Sequence, residues 1–173
     1  MLKSFSVSVL LLLCFVIFET AIVSNMLFLP AVPDFLLIVS LYLSVNNGKA
    51  FGVTSGFVSG LFLDFLSVSP FGLHCLLRTI LGYASGCFSR IINMTGFFLP
   101  SLIVFFATIA KAFLIFVISV FFTDSVVAYS LLSKTFLFEL AANSILAPIM
   151  FKFLDIFSVQ NKIYILCVQF QAA

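Results

Sequence analysis

Charge is what this sequence has least of. Six acidic and eight basic residues make up 8% of its 173 positions, there is one histidine, and tryptophan is absent. So little polar surface excludes a soluble domain, which needs about a quarter of its residues charged. A net charge of +2 gives no basic surface on which a nucleic acid could bind. His74 is the only histidine, and no second ligand lies at metal-like spacing from it. The four cysteines, Cys14, Cys75, Cys87 and Cys167, lack the paired spacing of metal or redox motifs and read as small apolar packing residues. No serine sits in a nucleophile motif of the G-x-S-x-G kind, and Ser55 and Ser59 read as packing residues. No catalytic, cofactor or metal site is expected, and the chain does not read as an enzyme. Low-complexity linkers and long repeats are also missing.

What is present is apolar. Hydrophobic residues are 64% of the chain, 25 of them phenylalanine, and the mean hydropathy is +1.34. Runs such as Leu10 to Leu13 and Val104 to Phe106 do not alternate as the strands of a membrane barrel would. The expected fold is all-α: a polytopic bundle of about six transmembrane helices forming a single integral membrane domain over residues 1–173. The spans are expected at about 5–29, 34–46, 48–66, 71–92, 97–123 and 134–157, since a hydrocarbon core of about 30 Å needs roughly 20 helical residues. The first follows Lys3, is too long for a signal-peptide core and lacks a small-x-small cleavage site, so it reads as uncleaved. Pro30 and Pro33 punctuate the next turn, with Asp34 placed to cap the second span, which is short and either tilted or only partly crossing. Pro100 falls in the first turn of the fifth span, where its missing donor does little harm. Pro148 is expected to kink the sixth, and the apolar stretch 163–168 is too short to span.

Basic residues near helix ends set the orientation. With the N-terminus inside, Lys3, Lys49, Arg90, Lys152 and Lys162 are cytoplasmic and only Lys134 faces the other side, so both termini are expected in the cytoplasm.

Glycine is spaced with purpose. Gly48, Gly52, Gly56, Gly60 and Asp64 recur every fourth residue, and His74, Arg78, Gly82, Gly86 and Arg90 repeat the spacing. Such rows clear side chains from one ridge so that a neighbouring backbone approaches closely. Packing of the third span on the fourth is the preferred reading, and homodimerisation the other.

Glu19, Asp64, Arg78, Lys111 and Glu139 all fall near one depth, roughly 20 Å from the cytoplasmic end at 1.5 Å per residue, with Asp34 at the same outer mouth. A lone charge there costs about 2.5 to 3.5 kcal/mol, so these groups should face inward and pair. The expected arrangement is a buried polar cluster of Asp34, Asp64, His74, Arg78, Glu19, Lys111 and Glu139, with Asp64 paired to His74 and Arg78 inside the hairpin of the third and fourth spans. His74 reads as a partner of Asp64 before it reads as a base. The cluster fixes helix register, forms a proton or ion pathway, or lines a pocket opening outward.

Pro33-Asp34 opening the second span, Gly52, Gly56 and Gly60 closing on Asp64, then Pro70, Gly72, Tyr83 and Gly86 together resemble the MreD family of bacterial rod shape-determining membrane proteins. The resemblance implies a multi-pass protein of the bacterial cytoplasmic (inner) membrane. It also implies a non-enzymatic part in the cell-elongation complex, binding MreC and working alongside MreB, RodA and a transpeptidase to couple the cytoskeleton to peptidoglycan synthesis. The family-like residues are Pro33, Asp34, Gly52, Gly56, Gly60, Asp64 and Gly72, and the mouth formed by Asp34, Asp64, His74 and Arg78 is the expected partner-binding region. The alternative is the substrate-binding component of an energy-coupling-factor vitamin transporter, similar in size and span number. Those components often carry Ala-xxx-Ala on the first helix, whereas here no two alanines lie four apart.

Overall fold

The computed structural model describes residues 2–23, 31–67, 69–89, 96–122 and 133–171. Among them are six α-helices: α1 (Leu2–Phe18), α2 (Phe35–Asn47), α3 (Lys49–Leu66), α4 (Leu73–Cys87), α5 (Phe98–Phe121) and α6 (Lys134–Gln171), with a π-helical turn at Glu19–Val23 and no strand. Lys49–Leu66, Phe98–Phe121 and Lys134–Ile156 are long and apolar enough to cross a membrane, while Ser6–Ala21 and Phe35–Asn47 are apolar but shorter. The exterior carries large apolar side chains such as Phe57, Phe65, Phe98, Phe106, Phe113 and Phe121. An apolar outside around charges buried inside is the arrangement of a helical membrane bundle.

The short second helix is the hub. All ten residues from Leu36 to Val45 are buried, and α2 touches α1, α3, α4 and α6. Thirteen residues rise only about 20 Å, yet the sequence Leu-Leu-Ile-Val-Ser-Leu-Tyr-Leu-Ser-Val is apolar nearly all round, as a helix enclosed by others must be. Its two serines find partners inside the bundle: the Ser40 hydroxyl donates to the Leu37 carbonyl, and that of Ser44 to the Gly82 carbonyl on α4. Between them in sequence, the Tyr42 hydroxyl donates to Asp155 Oδ1 on α6 at 2.7 Å, and its ring meets Phe151 edge to face. A helix of only thirteen residues is thus enclosed by its neighbours from Leu36 to Val45.

Two antiparallel hairpins flank it. In the first, α3 and α4 pack backbone to backbone along the glycine row. A Cβ on Gly52 would strike the Gly82 carbonyl, one on Gly56 the Arg78 carbonyl, one on Gly60 the Cys75 backbone, and one on Gly86 the backbone of Lys49. Gly48 differs, since a Cβ there meets only Ser89 Oγ at 3.6 Å. What Gly48 supplies is its backbone, at φ 90° between α2 and α3, a region L side chains rarely enter.

In the second hairpin, α5 and α6 meet through polar contacts. Pro148 lies inside α6 and removes the N–H that would bond the Ser144 carbonyl one turn earlier. Ser101 on α5 donates its hydroxyl to that carbonyl at 2.8 Å, so the neighbouring helix replaces the lost bond.

Two helix ends have features of their own. The first α-helix gives way at Phe18 to the π-turn, where Thr20 Oγ1 donates back to the Val16 and Ile17 carbonyls. The sixth helix continues past the expected span end at 157 and runs to Gln171, with no glycine or proline after Pro148 to end it. Arg90 and most of the expected outer loop at 124–133 lie outside the described residues.

Candidate functional site

The start of α2 is the polar centre of the molecule. A helix begins with N–H groups that have no intrahelical partner, and below a membrane surface water does not supply one. Each is accounted for here. Phe35 N–H bonds the Pro33 carbonyl, Leu36 N–H bonds Glu19 Oε2 at 2.8 Å, Leu37 N–H bonds Asp34 Oδ1 at 2.8 Å, and Ile38 N–H bonds the Asp34 carbonyl. Asp34 is the N-cap that its position after Pro33 predicts. Its own N–H donates to Asn143 Oδ1 on α6 at 2.9 Å.

Asp34 does more than cap. Arg78 Nη2 of α4 reaches Oδ1 at 2.5 Å, Lys111 Nζ of α5 reaches Oδ2 at 2.7 Å, and the same Nζ bridges to Glu139 Oε1 of α6 at 2.8 Å. The chain of contacts Arg78–Asp34–Lys111–Glu139 therefore ties together three helices and the first turn of a fourth. Asp34 and Glu139 are each 4% exposed and Arg78 is 3% exposed. Glu19 is also buried, and it lies close enough to Asp34, Arg78 and Lys111 to interact electrostatically. Taking such charges out of water is costly, and in hydrocarbon each is tolerable only with a partner. Removing one partner from a buried pair of this kind costs about 3 to 5 kcal/mol.

The expected pairing of Asp64 with Arg78 and His74 is not what forms. Asp64 Oδ2 accepts from the backbone N–H of Gly72 and of Cys75, and Oδ1 from that of His74, all at 3.0 Å. Asp64 is the cap of α4, supplied from the end of α3. Gly72, with φ 95° and no side chain, occupies the N-cap position and cannot cap for itself. The remaining first-turn donors bond locally, Leu73 to the Pro70 carbonyl and Leu76 to that of Gly72. The tight connection brings Asp64 level with the start of α4, where free N–H groups and the positive end of the helix dipole meet it before Arg78 does. Arg78, one turn further on, turns to Asp34.

The structure thus gathers Asp34, Arg78, Lys111 and Glu139 in direct contact, sets Glu19 against the same helix start, and leaves Asp64 in a separate backbone cradle. His74 meets Asp64 through its N–H and is only half-buried. Asp34, Asp64 and Arg78 are all enclosed. Two participants were not anticipated. Asn143, fully buried, accepts from Asp34 N–H and donates its amide to Thr108 Oγ1 at 3.4 Å. The signal was available: Asn143 lies four residues after Glu139 and Thr108 three before Lys111, so each shares the face of a buried charge.

Other features carry less chemistry. A cleft of about 320 Å³ between α4 and α5 is lined by apolar groups including Leu81, Ala84, Phe106 and Ala110. The Ser85 hydroxyl on its wall is already bonded to Ser44 Oγ and to the Leu81 carbonyl. Among the described residues, no group of three or more His, Cys, Asp or Glu side chains could hold a metal ion.

An apolar exterior and an inward-turned ionic network define the class: a small, all-helical integral membrane protein whose polar groups are spent on holding helices together. The family model described as rod shape-determining protein MreD matches residues 2–157, and the chain belongs to the MreD family of rod shape-determining membrane proteins. No curated protein and no solved structure matches it.

Proposed function

We propose that this chain is a non-enzymatic scaffold of the bacterial cell-elongation complex. In this reading it sits in the cytoplasmic membrane as a six-span protein with both termini inside, binds MreC, and works beside MreB, RodA and a transpeptidase to couple the cytoskeleton to peptidoglycan synthesis. The observation that carries the reading, beside membership of the family, is where the charges go: Asp34, Arg78, Lys111 and Glu139 are consumed in mutual contacts across α2, α4, α5 and α6. A network that links four helices in this way fixes them relative to one another, so the outer helix faces that meet partners keep a constant geometry. The family match leaves the vitamin-transporter alternative without support.

Depletion in the native bacterium, with co-purification of partners, tests the proposal. Loss of rod shape together with recovery of MreC is the expected result. Normal shape with impaired vitamin uptake would contradict it.

A further inference from the structure

The ionic network does not balance. Among the described residues, three carboxylates, Glu19, Asp34 and Glu139, are buried around two cations, Arg78 and Lys111. One uncompensated negative charge at this depth carries a cost that membrane proteins avoid by pairing. The surplus can be assigned by asking which acid lacks a cation. Asp34 contacts both, Glu139 contacts Lys111, and among the described residues Glu19 makes no ion pair with either. It meets the Leu36 N–H through one oxygen.

A cation with a spare donor is at hand. Among the described residues, Arg78 Nη1 is buried and finds no hydrogen-bond partner, although its side chain lies close enough to Glu19 to interact electrostatically. An ionised Glu19 would gain a charge-assisted bond by claiming that donor; it does not. Glu19 also opens the π-turn, a rare helical form concentrated at functional sites.

We propose that Glu19 is a proton-binding site: its side chain is a neutral carboxylic acid in the folded bundle, and the proton it holds makes the network electroneutral. The proton comes from water and adds to one carboxylate oxygen, leaving Oε2 free to accept from Leu36. The other groups facing the site have settled partners. Asp34, Lys111 and Glu139 are bonded to one another, and the Asp64 charge is held by three backbone N–H groups. His74, one turn from Arg78 on α4, meets Asp64 through its backbone N–H. The assignment goes beyond the scaffold reading and is tested without reference to cell shape.

Infrared spectroscopy of the full-length protein in lipid nanodiscs at neutral pH provides the test. A protonated carboxylic acid has a carbonyl stretch distinct from that of a carboxylate. Glu19 and Glu139 are the only glutamates, so labelling with carboxyl-¹³C glutamate isolates them without any substitution. The expected result is an acid band in the unsubstituted protein that shifts with labelled glutamate, disappears in Glu19→Gln, and persists in Glu139→Gln, Asp64→Asn and His74→Gln. Glu19→Gln, which keeps an acceptor for Leu36 N–H, should leave the thermal midpoint unchanged. No acid band, a band insensitive to the label, or one lost in Glu139→Gln and kept in Glu19→Gln would overturn the assignment. Should Glu19→Gln fail to fold, the label and Glu139→Gln still decide between the two glutamates.

Discussion

Asp34 and Asp64 have the same side chain, the same degree of burial and the same local task, capping a helix whose start is enclosed by protein, yet they are held by different means. Asp34 accepts one backbone N–H and two cations from α4 and α5. Asp64 accepts three backbone N–H groups, all from residues 72–75. The first ties together elements distant in the chain, and the second closes a hairpin between neighbours. A buried carboxylate is therefore not sufficient to mark an ionic centre: a helix start can hold it through backbone N–H groups instead of cations.

The sharpest break in the comparison comes from removing each charge. Asp34→Asn leaves Arg78 buried without its carboxylate and should lower stability by about 3 to 5 kcal/mol, read as loss of folded protein in thermal unfolding of the detergent-solubilised bundle. Next in size is Gly56→Ala, whose new methyl meets the Arg78 carbonyl and must push α4 away from α3. Overpacking of this kind costs about 1 to 3 kcal/mol. Because the displaced helix carries Arg78, this substitution asks whether disturbing the hairpin that Asp64 closes also loosens the contact at Asp34. Asp64→Asn keeps acceptor capacity for the backbone and should cost about 1 kcal/mol, the scale of a lost cap. Equal losses for the two aspartate substitutions would erase the distinction. Ser101→Ala, remote from both acids, removes only the bond that compensates for Pro148 and should cost about 0.6 kcal/mol, the average for interhelical hydrogen bonds in a membrane.

Much of this was legible in the sequence, and the part that was not has a physical reason. The four-residue glycine row identified the face of α3 that packs on α4, because clearance depends only on where side chains are missing. Asp34 could be read as a cap from the preceding proline, and Arg78, Lys111 and Glu139 as members of one layer from depth alone. Depth along a helix, however, leaves rotation about its axis undetermined, and rotation decides which acid meets Arg78. The donors that claim Asp64 are backbone groups, which carry no residue identity and leave no trace in composition. The central place of α2 was hidden for a related reason: its shortness reads as incomplete crossing until its neighbours are seen to enclose it.

The central claim is that Asp34, and not Asp64, is the acid that holds Arg78 and through it the four-helix network. A pair of double-mutant cycles in one unfolding assay measures this directly, crossing Arg78→Gln with Asp34→Asn and with Asp64→Asn. The predicted result is a coupling of about 1 to 3 kcal/mol for Asp34 with Arg78 and near-additivity, within about 0.5 kcal/mol, for Asp64 with Arg78. Strong coupling to Asp64 with additivity at Asp34 would contradict the account.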